Sequence, residues 1–176
     1  MDRPPLRSEA KTMPCEVSFS VPRDVPGTWK KFIASPLEDL LPGTADLPAV
    51  DHTESLNDRP FGQVGSARQV WLADGNHAFE EIVESRPAEY LKYQVWGWSH
   101  PLAKPLEYAT GEFWFTAHEQ TTAVRWQYSF MLSPRSQLGR LGGLGRWLFR
   151  KAFIQRQWAA YMQAGAGAMA AWLATP

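Results

Sequence analysis

The 176-residue chain has one cysteine, Cys15, which excludes an internal disulfide and a cysteine-built zinc cage. Its four histidines (His52, His77, His100 and His118) are too widely spaced to form an i, i+4 ligand pair on a helix. No metal and no cofactor are therefore expected. No run approaches the roughly 20 apolar residues of a membrane span, and the N-terminus lacks the apolar stretch of a secretory signal, so a cytoplasmic location is expected. Gly139 to Gly145 opens a helix but lacks the Lys-Ser/Thr of a phosphate loop, and no Ser-His-Asp order is legible. Charged residues are only 20% and the formal net charge is zero, which argues against a nucleic-acid partner.

One further absence is local. No acidic residue follows Glu119. All 18 acids and 11 of the 18 bases precede residue 120, giving −7 there and +7 after it. Six bases crowd one stretch: Arg135, Arg140, Arg146, Arg150, Lys151 and Arg156. They form either a solvated face or a surface for a membrane or an acidic partner, with Trp147, Leu148, Phe149 and Phe153 as apolar anchors.

What the chain does have is apolar bulk. Apolar residues are 44% and aromatics 13%, including nine Trp. A single domain of this length buries about 70% of its unfolded surface, which is ample for a core. Residues 1–14 mix Pro and charge without periodicity and read as a flexible tail. Strict alternation of Val17, Phe19 and Val21 marks a strand over Glu16 to Val21. Asp24 is placed to cap a helix through Trp29, Phe32 and Ile33, with Pro26 in its first turn, and a second turn runs from Pro36 to Leu41.

Strands are then predicted over Ala49–Leu56, Ala67–Leu72, His77–Ser85, Tyr90–Trp98, Glu107–Ala117 and Thr121–Leu132. Asp74-Gly75 predicts a two-residue type I′ hairpin, and Glu119-Gln120 another tight turn. A helix of roughly 45 Å follows from Leu144 to Leu173, at 1.5 Å per residue. One strand, two short helices, six antiparallel strands and a long helix define an α+β fold.

Four stretches in this order resemble the START-like (SRPBCC) superfamily, near its polyketide cyclase/dehydrase and lipid-transport branch. They are the Asp24-to-Leu41 helix pair, Val64-Gly65-Ser66-Ala67-Arg68 with Leu72-Ala73-Asp74-Gly75, Phe79 to Pro87, and Thr121-Thr122-Ala123-Val124-Arg125-Trp126. The resemblance implies a helix-grip fold over residues 15–176. In it, a curved seven-stranded antiparallel sheet wraps the C-terminal helix and leaves an apolar cavity between them. A hydrophobic small molecule or lipid is the ligand such a cavity implies.

Hairpin arithmetic selects the side chains facing that cavity. Across Glu119-Gln120, Phe115 faces Val124, Phe113 faces Trp126, Gly111 faces Tyr128, and Ala109 faces Phe130. Trp114–Arg125 and Glu112–Gln127 fall on the other face. A two-residue loop at Asp74-Gly75 sets Val70 opposite Phe79 and Arg68 opposite Glu81, which also turns Val83 inward. Leu91, Tyr93, Val95 and Gly97 share the inner face of the next strand. Along the helix, Trp147, Lys151, Ile154, Trp158, Tyr161, Gly165, Ala168 or Met169, and Trp172 form a seam toward the sheet.

The expected pocket is thus apolar with four polar points, Arg68, Glu81, Tyr93 and Tyr128. Arg68 and Glu81 either satisfy each other or hold a ligand. The two tyrosines either pack with their hydroxyls on backbone or meet the ligand. Gly165 and Gly167 either sit in an exposed turn or make room over the sheet. A carrier or sensor is the preferred reading. The alternative is a cofactor-independent cyclase/dehydratase-like lyase with Glu81 as general base, Arg68 stabilising an enolate, and Tyr93 or Tyr128 donating a proton.

Overall fold

A computed structural model describes residues 2–7 and 11–176. Strand β1 (Met13–Val21) is followed by α1 (Val25–Ala34) and the single turn α2 (Leu37–Leu40). Then come β2 (Val50–Ser55), β3 (Ala67–Leu72), β4 (His77–Arg86), β5 (Tyr90–Trp96), β6 (Leu106–His118) and β7 (Thr121–Leu132). After α3 (Gln137–Arg140) the chain is helical over 143–174. This last helix comprises α4 (Gly143–Phe149), a π-helical stretch (Arg150–Trp158) and α5 (Ala159–Ala174).

All seven strands form one antiparallel sheet in the order β1-β7-β6-β5-β4-β3-β2. The long helix packs on its inner face, and this is the helix-grip architecture. The first strand begins at Met13, where it pairs with Phe130, ahead of the Glu16 that the alternation marks. Residues 2–7 lie along the outer face: Gln94 donates to the Pro4 carbonyl at 2.8 Å, and Arg7 clasps Glu107 with two 2.8 Å bonds.

Local chemistry explains the elements near the site. Asp24 accepts from the Gly27 N–H at 3.0 Å and so caps α1, whose Pro26 sits where no N–H is needed. The apolar face of α1 then buries Trp29 and Phe32 against β6. Their rings lie 5.3 Å from Phe115 and 4.7 Å from Phe113, respectively. A buried bond between Thr28 and Thr122 hydroxyls, 3.1 Å long, pins α1 to β7.

The β6–β7 register matches the arithmetic at every pair named above, because Glu119-Gln120 is a two-residue loop closed by His118 and Thr121. The β3–β4 register does not. Gln69 pairs with Phe79, Val70 with Ala78 and Arg68 with Glu80. Leu72 N–H donates to the Asn76 carbonyl at 2.8 Å, so the loop has three residues, and in it only Gly75 has positive φ (81°). This is a type I turn plus a left-handed bulge residue, and the extra loop residue slips β4 by one. A one-residue slip exchanges faces. Ala78, Glu80 and Ile82 point inward, Phe79 and Glu81 point outward, and Val83 lies where the β4–β5 pairing bulges. Phe79 joins Trp96, Tyr108 and Met131 in an outer apolar cluster.

The final helix also departs from a simple seam. Trp147 and Lys151 face solvent, and Gly145, Phe149 and Ile154 are buried in their place. The cause is the π-helical stretch, whose i→i+5 bonding adds a residue per turn. Five residues before Ile154 is Phe149, so spacing by three and four lands on the wrong side.

Candidate functional site

A void of about 40 Å³ lies between the inner face of the sheet, the α1–α2 corner and the last helix. Helices α1 and α2 present Phe32, Ser35, Leu37, Leu40 and Leu41 to it, and Met169 closes it from α5. Phe61, in the loop before β3, completes the mouth. The sheet contributes Arg68, Glu80, Tyr93, Phe113 and Trp126.

Among the described residues, the ion pair on this wall is Arg68 with Glu80, whose side chains are 14% and 8% exposed. Arg68 Nη2 and Nε both reach Glu80 Oε1, at 2.6 and 2.8 Å. The guanidinium carbon also lies 4.0 Å from the centre of the Phe61 ring, a cation–π contact. Oε2 of Glu80 takes no hydrogen bond from the described residues.

Tyr93 stands beside this pair. Its hydroxyl accepts from Trp126 Nε1 at 3.2 Å, and no described group accepts its own proton. Burial, reinforced by the nearby Glu80 charge, pushes its ionisation far above the ordinary tyrosine range. It is a hydrogen-bond donor at any physiological pH. Gly111 makes the position possible: a Cβ there would sit 2.0 Å from Tyr93 Cζ. The Tyr93, Phe113 and Trp126 rings interlock, with Phe113 and Trp126 stacked at 5.4 Å and 9°.

Of the residues expected to face a ligand, Arg68, Tyr93, Phe113 and Trp126 border this void. Val70, Leu91, Val95 and Phe115 are buried on the inner face but do not line it. Tyr128, Phe130, Trp158 and Tyr161 form a packed aromatic cluster at the other end, with Trp158 4.6 Å from Tyr128 and 5.0 Å from Phe130. Burial also drives Tyr128 and Tyr161 well above the ordinary range. Gly165 is a close approach and not ligand space, since a Cβ would lie 2.9 Å from Leu41 Cδ2 and 3.2 Å from Trp126 Cζ3.

Glu81 and Phe79 face away from the cavity, and Glu81 lies 3.5 Å from Arg3 of the N-terminal segment. Sequence reasoning missed Glu80, the α1–α2 side chains and Phe61. Glu80 was hidden by the loop length, while the amphipathic spacing of α1 did point Phe32 inward. Phe61 sits in a loop without periodicity, where no pattern marks it.

The architecture is the helix-grip fold. Solved structures share it at low identity. Ara h 8.0201 is 13% identical with a TM-score of 0.61, covering 92% of this chain and 97% of that one. Ginseng major latex-like protein 151 from Panax ginseng is 14% identical with a TM-score of 0.63, over 92% and 97%. A point mutant of Thalictrum norcoclaurine synthase, in complex with a transition-state analogue, is 17% identical with a TM-score of 0.63, over 92% and 94%. No protein-family model and no curated protein matches the chain.

Proposed function

We propose that the chain binds a small, mostly apolar molecule with one hydrogen-bonding end, as a carrier or sensor. The observation that supports this most is the half-used ion pair. Glu80 keeps one carboxylate oxygen uncommitted and Tyr93 keeps one proton uncommitted, both beside an otherwise apolar void. A buried ion pair is a weak way to stabilise a fold, because desolvation offsets its attraction. As a ligand anchor it makes better sense: a hydroxyl, amide or amine could donate to Glu80 and accept from Tyr93. The shared fold with a protein captured around a transition-state analogue is consistent with a small-molecule site.

The void itself holds about three waters, at roughly 10–15 Å³ each. A larger guest enters by displacing the mouth. Helix α2 is one turn without a side-chain N-cap bond, and Phe61 is on a loop, so these are the elements that give way. A lyase with Glu81 as general base is not supported, because that carboxylate is on the opposite face of the sheet.

Native mass spectrometry of freshly isolated protein, compared with denatured protein, is the first test, and a released apolar adduct is expected. N-phenyl-1-naphthylamine, an apolar amine with one N–H, is the probe for the anchor. It should bind saturably, and Arg68→Met/Glu80→Leu should weaken it by about tenfold or more, the weight of one charge-assisted hydrogen bond. Protein free of adduct in several preparations, together with no saturable probe binding, overturns the proposal.

A further inference from the structure

A second feature, independent of the cavity, concerns the outside of the last helix. Buried Phe149 packs on Phe130 at 5.7 Å, so the inner side of α4 is committed to the core. The outer side of a packed helix is ordinarily polar. Here it is apolar: Leu144 and Trp147 are 56% and 55% exposed, and Leu148 and the preceding Leu141 are exposed as well. The adjoining β5–β6 loop adds Leu102, 81% exposed, and is tied to the approach to α3 by Ser133 N–H donating to the Pro105 carbonyl at 2.8 Å.

Bases frame these side chains. Arg135, Arg140, Lys151 and Arg156 are exposed, and Arg146 and Arg150 are half-buried. None of the six forms an ion pair with an acidic residue among the described residues. The segment therefore carries exposed aliphatic and indole groups together with cations that have no described acidic partner.

We infer that this face docks on an anionic phospholipid surface, with Leu141, Leu144, Trp147 and Leu148 entering the interfacial layer and Arg140, Arg146 and Lys151 contacting headgroups. Both parts of the pattern are needed for this choice. Cations alone would suit any polyanion, whereas apolar side chains of this length gain only where there is an acyl boundary to enter. Trp is suited to that boundary, having an apolar ring and one N–H. No described helix is long and apolar enough to cross a bilayer, and the contact inferred is with its surface.

The test is co-sedimentation of the full chain with vesicles of equal parts phosphatidylcholine and phosphatidylglycerol, beside vesicles of phosphatidylcholine alone. Binding is expected to the mixed vesicles at low salt, to weaken at physiological salt, and to be far weaker on phosphatidylcholine. Arg140→Gln/Arg146→Gln/Lys151→Gln should weaken it about a hundredfold, at roughly fivefold per base. Leu144→Ser/Trp147→Ser should also release the protein while leaving every charge in place, and it serves as the second probe if the triple variant folds poorly. Failure to sediment with the anionic vesicles at low salt overturns the inference. So does Leu144→Ser/Trp147→Ser binding like the parent, which would mark the patch as a site for an acidic macromolecule.

Discussion

Arg68 grips Glu80 through two nitrogens on a single carboxylate oxygen, at 2.6 and 2.8 Å, and the second oxygen takes no hydrogen bond from the described residues. The neighbouring carboxylate, Glu81, is one residue away in sequence and on the opposite face of the sheet. This geometry makes the two glutamates energetically unlike. Removing Arg68 strands a buried charge, so Arg68→Ala should lower stability by about 3–5 kcal/mol. Arg68→Met/Glu80→Leu removes both charges together and should fall within about 1 kcal/mol of the parent or above it. Glu81→Gln should change stability by less than about 0.5 kcal/mol. Urea denaturation of the three variants checks the order. A Glu81→Gln cost comparable to that of Arg68→Ala would contradict the register.

Tyr93 and Gly111 form a second coupled pair across β5 and β6. A Cβ at Gly111 would lie 2.0 Å from Tyr93 Cζ, too close for any small adjustment. Gly111→Ala should cost about 1–3 kcal/mol by overpacking. In Tyr93→Leu that clash is gone, and the same substitution should then cost much less. A double-mutant cycle in urea measures the coupling, with a favourable interaction of about 1 kcal/mol or more expected. Additive costs would mean that the ring is elsewhere.

The two hairpins show how far the sequence carries the site. Both strands of β6–β7 alternate cleanly, and a polar two-residue loop fixes their register, so Phe113, Trp126 and Tyr128 could be assigned inward before any coordinates. The β3–β4 strands alternate equally well, but Asp-Gly suits two loop geometries. Asp74 accepts from Asn76 N–H at 3.0 Å, which stabilises the three-residue form, and that local bond is not encoded in hydrophobic period. One residue of loop moved the acidic group of the site from Glu81 to Glu80. The cavity mouth was less legible still. Phe61 and Leu41 belong to irregular segments, and their positions follow from packing that only the assembled sheet defines. The π-helical turn had the same effect on Trp147, since a three–four repeat assumes one helix type throughout.

Four tyrosines set a behaviour in alkali. Burial raises the ionisation of Tyr93, Tyr128, Tyr161 and Tyr90, with Glu80 adding to the first two and the Glu112 hydrogen bond and charge to the last. In the unfolded chain these groups lose protons from about pH 10. In the folded chain they hold them. The unfolded state then binds fewer protons, so stability falls as pH rises. It is present in full below about pH 10 and is lost above it. An alkaline titration should show tyrosinate absorbance from these residues appearing together with loss of ellipticity. Early, reversible ionisation of all of them in a folded chain would show that the interior is open to water.

Gly165 and Gly167 lie on the same helix and should respond in opposite ways to a methyl group. Both cost the helix about 0.8–1 kcal/mol relative to Ala, through backbone entropy. A Cβ at Gly167 meets nothing within 4 Å, so Gly167→Ala should recover that amount in full. A Cβ at Gly165 would press on Leu41 Cδ2 at 2.9 Å and on Trp126 Cζ3 at 3.2 Å. Trp126 is held by Phe113 stacking and its bond to Tyr93, so it yields little, and Leu41 must swing toward the void. Gly165→Ala should therefore lose the propensity gain or fall below the parent, and should also reduce probe binding by narrowing the mouth. Thermal denaturation of both variants, with N-phenyl-1-naphthylamine titrations alongside, separates the two effects. Equal stabilisation at both positions would mean that the helix does not approach the sheet as closely as described.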